Sequence, residues 1–114
     1  MNYSQTSENG FMVLSLSGDI IGEEDNKPLY DEVDAFLEKG GNYLIIDIAD
    51  VRYINSSGIG VLITLLTKLR NKDGEVCLVN PSESVEKLLI ITKLQAIFKV
   101  ADTIEEAQIV LQNN

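Results

Sequence analysis

Ser56 and Ser57 head the uncharged run Asn55-Ser56-Ser57-Gly58-Ile59-Gly60-Val61-Leu62. They are the side chains best placed to undergo chemistry. A serine hydroxyl at a helix N-terminus suits a phosphate, because free backbone amides and the helix dipole stabilise the added dianion without unfolding the chain. The same positions have a plainer use. Asn and Ser are favoured N-caps that accept from the orphan amides of the first turn. Both readings stand for Asn55 and Ser56. Elsewhere the chemistry is thin. The chain has no histidine, so it lacks the commonest general base and the commonest metal ligand. Cys77 lies in the apolar run Glu75-Val-Cys-Leu-Val79 and reads as a buried, unactivated thiol. There is no phosphate-binding glycine loop and no metal-spaced Cys or acidic cluster. Asp47 closes Leu44-Ile-Ile-Asp47 and could accept a phosphoryl group. That chemistry also needs an acidic pair for Mg²⁺ and a later Lys, yet Glu75–Val79 runs into Asn80-Pro81 without one. No catalytic residue, metal or cofactor is assigned.

The elements that must position the serines alternate. Tyr3–Ser7 reads as an edge strand, followed by Asn9-Gly10, a tight-turn dipeptide. Phe11–Ser17 alternates, with Met12, Leu14 and Leu16 on one face and Phe11, Val13 and Ser15 on the other. A helix starts near Asn26, with Pro28 in its first turn, and buries Leu29, Val33, Phe36 and Leu37 before Gly40-Gly41 stops it. Tyr43–Asp47 is a buried central strand, and a turn is expected at Asp50-Val51. A second helix runs from about Ser56 to Lys72, then a strand over Glu75–Val79 and a short helix from Ser84 to Thr92. Lys99–Ala101 forms a last strand, and Thr103-Ile-Glu-Glu106 has the spacing of a capping box. Strands separated by helices predict right-handed crossovers and an α/β fold with a mostly parallel sheet, edged by one antiparallel hairpin. Residues 1–114 read as one domain.

On the second helix, Leu62, Leu65, Leu66 and Leu69 gather on one side and must face the core. Ser56, Gly60, Ile63 and Thr67 gather opposite, on an uncharged face flattened by glycine. Glycine costs up to about 1 kcal/mol per helical position relative to alanine. Either the helix packs tightly on its own sheet or something outside approaches its backbone. Both explanations remain open for Gly58, and Gly60 points to the second.

Composition narrows the partner. At 114 residues and 45% hydrophobic, the chain is globular. No apolar run approaches the roughly 20 residues of a membrane span, and MNYSQTSENG lacks the pattern of a signal peptide. A formal charge of −9 argues against nucleic acid or anionic lipid. One cysteine permits no internal disulfide, which suits a cytoplasmic protein, expected to be a monomer when free.

The Asn55–Leu62 run follows the hydrophobic strand Leu44–Ile48. With Gly18 after the second strand, Gly40-Gly41 and the Lys99-Val-Ala-Asp-Thr103 lead into the last helix, it resembles the signature of STAS domains. More narrowly, it is similar to the bacterial anti-sigma factor antagonists. The resemblance implies a STAS fold with helices mainly on one side of the sheet, and a partner-switching role. The unphosphorylated antagonist binds an anti-sigma factor that is also a serine kinase, releasing the sigma factor. The kinase phosphorylates Ser56, and a PP2C-type phosphatase restores the binding form. The implied docking surface comprises Asn55, Ser56, Ser57, Gly58, Gly60, Ile63 and Thr67, with ATP belonging to the kinase. Two positions depart from the family pattern. Asn55 stands where Asp is usual, and Gly18-Asp19-Ile20-Ile21 lacks the acid that usually ends that tetrad, though Glu23, Glu24 and Asp25 follow. Another role implied by the fold is a scaffold subunit of a signalling assembly or a transporter, without a phosphoserine switch.

Overall fold

The computed structural model describes residues 1–8, 10–22 and 26–113. Five strands lie side by side in chain order: β1 (Asn2–Glu8), β2 (Phe11–Ile20), β3 (Tyr43–Ile54), β4 (Glu75–Val79) and β5 (Lys99–Ala101). β1 pairs antiparallel with β2, and every later pairing is parallel. The helices are α1 (Lys27–Glu38), α2 (Ser56–Arg70), α3 (Glu83–Ile91) and α4 (Ile104–Gln112), with a 3-10 turn at Leu94–Ala96.

The alternation of β2 decides the layering. Met12, Leu14 and Leu16 join Leu44, Ile46, Val76 and Leu78 in a core covered by α1, α2 and α3. Phe11 turns the other way with Ile45, Cys77, Val79 and Ala101, beneath Ala107 and Leu111 of α4. Three helices on one face and one on the other account for Leu44–Ile46 being buried on both sides of the sheet. Phe36, expected in the core, is half-buried at its edge. Thr103 Oγ1 caps α4 by accepting from Glu106 N at 3.0 Å.

Two expectations need correction. Asp50-Val51 is not a turn, because β3 continues through it to Ile54. Gly18 does not follow the second strand but lies within it, at φ +84°. One irregularity accounts for both. The β2–β3 register runs Ser15↔Asp47, Ser17↔Asp50, Gly18↔Val51, then Asp19↔Tyr53, so β3 gains an extra residue at each of two bulges. Each bulge shifts the pleat by one. The buried positions of β3 therefore become Ile48, Val51 and Ile54, a period of three that does not read as strand. Glycine supplies the left-handed backbone where β2 bends. The acidic run Glu23, Glu24 and Asp25 lies outside the described residues.

Candidate functional site at the N-terminus of helix α2

β3 passes directly into α2 through one residue, Asn55. Its Oδ1 accepts from Gly58 N at 2.7 Å, and Ile59 N closes the first turn on the Asn55 carbonyl at 2.9 Å. The cap is thus Asn55, and Ser56 is the first helical residue. Ser56 and Ser57 are both exposed. Their amides belong to the orphan donors of a helix start, and no partner among the described residues takes them. An exposed hydroxyl, two amides without a partner among the described residues and the positive end of the dipole therefore meet at the head of α2.

The end of β2 clamps this turn. Asn55 N donates to the Ile20 carbonyl at 3.2 Å. The same carbonyl lies against Gly58, where any Cβ would overlap it. Gly22, at φ +71°, packs on the Ser57 backbone. Gly58 is therefore glycine because the helix sits tightly on its own sheet. Gly60 is the opposite case: an added Cβ would meet nothing within 4 Å.

Beyond the first turn, α2 buries Val61, Leu62, Leu65, Leu66 and Leu69. Ser56, Gly60, Ile63 and Thr67 face outward, Ile63 being 39% exposed. The helix's two cations are held within the fold. Lys68 pairs with Asp34 of α1 at 3.0 Å and lies 5.4 Å from the centre of the Tyr30 ring. Arg70 donates to the Ile97 carbonyl at 2.7 Å and approaches Glu75 at 3.4 Å. The outward face is left without charge. Tyr53, 56% exposed two residues before the cap, was not singled out from sequence. The bulged register of β3 hid which of its residues face water. Gly22 was also missed, since its contact with Ser57 joins residues 35 apart; only its left-handed backbone marks it locally.

The other candidates do not form sites. Asp47 lies inside β3 rather than at its end, and its Oδ1 accepts from Ala49 N at 3.0 Å. Among the described residues no group of three Cys, Asp or Glu side chains could hold a metal. Cys77 is fully buried, and burial pushes its thiol up to about 11, with Glu106 adding to the shift and Lys99 opposing it. No helix among the described residues is long and apolar enough to cross a membrane.

The comparisons with known proteins agree with this architecture. The STAS domain family matches residues 3–107. A Thermotoga neapolitana protein, provisionally designated an anti-sigma factor antagonist, is 42% identical over 74 residues, covering 65% of this chain and 66% of that protein, just under two thirds. The crystal structure of a Thermotoga maritima protein with the same provisional designation superposes with a TM-score of 0.81 at 29% identity, covering 96% of this chain and 94% of that one. The Bacillus cell-fate determinant SpoIIAA shares the fold. Its unphosphorylated form superposes at 18% identity with a TM-score of 0.73 over 99% of each chain. Its phosphorylated form gives 19% and 0.70, over 93% of this chain and 96% of that one. Fold, matched length and relatives agree: the chain belongs to the STAS domain family, and its relatives include proteins named as anti-sigma factor antagonists.

Proposed function

We propose that this protein is an anti-sigma factor antagonist that acts by docking and catalyses nothing itself. In its unphosphorylated form it binds an anti-sigma factor serine kinase and frees the sigma factor. Phosphorylation of Ser56 ends the association, and a PP2C-type phosphatase reverses it. The observation that carries the reading is the exposed Ser56 at the head of α2, on the same side as the uncharged face of Gly60, Ile63 and Thr67. SpoIIAA, which shares the fold, has been solved in phosphorylated and unphosphorylated forms, so a phosphate is compatible with this architecture. Asn55, Ser56, Ser57 and Gly60 would meet the partner directly. Gly58, turned to the sheet, would serve by setting the position of that turn.

The switch works through desolvation. A phosphate adds about −1.5 to −2 charge to a surface that must lose water when the partner docks. A hundredfold loss of affinity corresponds to about 2.7 kcal/mol, within reach of a buried dianion with no paired cation. Titration calorimetry against a purified anti-sigma factor kinase tests the reading. The unphosphorylated chain should bind tightly and displace sigma factor. Capture of membrane transport components in place of the kinase would favour the scaffold role.

A further inference from the structure

Helix α1 does not close over the first strand. Gln5 and Ser7 of β1 pair with Leu14 and Met12 of β2, so they share the face of the sheet that α1 covers. Both nevertheless remain exposed. Between them and α1 lies a cavity of about 470 Å³. It reaches Gly10 and Gly40-Gly41, where the Gly10 carbonyl accepts from Asn42 N at 3.1 Å. The helical repeat orders the α1 wall. Glu32, then Ala35 and Phe36, then Lys39 fall on one stripe, an acid and a base separated by an apolar stretch. Met12 adds to that apolar middle. An added Cβ at Gly41 would overlap the Phe36 ring, so the ring is seated on the Gly41 backbone.

The acidic end carries an unmet hydrogen bond. Glu32 is half-buried, and its Oε2 is fully covered with no partner among the described residues. Tyr3 stands beside the same carboxyl: burial, then the Glu32 charge and a hydrogen bond to Glu32, push its phenol up. A buried acceptor without a donor is costly and uncommon in folded proteins. An ammonium group would satisfy it with a charge-assisted bond. At the basic end, Lys39 is exposed and pairs with no acid among the described residues. We propose that this cavity binds a small zwitterion, an ammonium and a carboxylate joined by an apolar spacer, with the ammonium on Glu32 and the carboxylate on Lys39. The two residues lie seven apart on α1, about 10.5 Å along the helix at 1.5 Å per residue. That spacing selects an extended spacer over an α-amino acid, whose two charges are adjacent. Phe36 and Met12 would cover the spacer.

Amide proton–nitrogen spectra of the protein, titrated with ε-aminocaproate, hexylamine and hexanoate, test the proposal. ε-Aminocaproate should shift the Gln5, Ser7 and Gly41 amides saturably. It should bind at least about tenfold more tightly than either single-ended analogue, the scale of one charge-assisted hydrogen bond. Glu32→Gln should weaken ε-aminocaproate and hexylamine by about tenfold and leave hexanoate unchanged. Lys39→Gln should weaken ε-aminocaproate and hexanoate and leave hexylamine unchanged. Glu38→Gln, the same loss of charge on α1 outside the cavity, should alter nothing. No saturable shift of the wild-type protein by ε-aminocaproate would overturn the proposal. So would shifts that map away from the cavity, equal affinity for all three compounds, or unchanged binding by Glu32→Gln. None of these outcomes bears on Ser56, so the antagonist role stands or falls separately.

Discussion

Two glycines two residues apart, Gly58 and Gly60, show how much a single Cβ can decide. Gly58 lies against the Ile20 carbonyl, so Gly58→Ala must push the helix off the strand end. The expected cost is about 1–3 kcal/mol, the range for overpacking a tight contact, seen as a lower denaturation midpoint in urea. Ser56 behaves differently, because its side chain is exposed. Ser56→Ala should leave stability within about 0.5 kcal/mol of wild type and bind the kinase whether or not ATP is present. Ser56→Asp should fold normally and bind poorly. The eight-residue motif left Gly58 open between packing on its own sheet and an outside approach, since the contact that decides it comes from Ile20 of β2, 38 residues earlier. Asn55 was legible as a cap, and it is the cap: its amide oxygen holds Gly58 N as an aspartate would, but without a charge beside Ser56.

At the scale of the element, the periodicity of α2 was enough to assign its faces. Leu62, Leu65, Leu66 and Leu69 are buried, while Gly60, Ile63 and Thr67 are exposed. Ile63→Lys should therefore weaken kinase binding at least a hundredfold, since it places an unpaired charge in a desolvated interface. Its melting temperature should hardly change. Ile91→Lys is the matched control. Ile91 is 76% exposed at the end of α3, so the same substitution there should change neither affinity nor stability. Equal losses from both variants would mean that charge in general, and not this face, governs the association. Strand β3 was harder to read than α2 for a physical reason. Its first half follows the two-residue period of a strand, but the bulges opposite β2 convert the second half to Ile48, Val51 and Ile54. Only the paired register shows that these belong to one strand, and that register positions Asn55 over Ile20.

For the whole molecule, two cores position α2, and the ties on Lys68 and Arg70 leave its outward face uncharged in a chain of net charge −9. The alternation of elements made the α/β class readable from sequence, while the split of the helices, three against one, depended on which face each strand residue took. Cys77 in the second core gives the fold an alkaline limit. Folding raises its thiol from 9.0 to about 11. The protonated form that the fold requires is thus fully kept below pH 9, and its contribution is lost as the pH rises toward 11. Urea midpoints should fall across that window, and at pH 8 a disulfide-exchange reagent should label Cys77 only after unfolding. The central claim is that Ser56 switches the association. It is tested most directly by incubating the protein with the anti-sigma factor kinase and ATP, locating the phosphate by mass spectrometry, and measuring the affinity of the modified chain. The account predicts one phosphate, on Ser56, and at least a hundredfold weaker binding by a chain that remains folded. Phosphate on Ser57, no phosphate at all, or unchanged binding by Ser56-phosphorylated protein would contradict it.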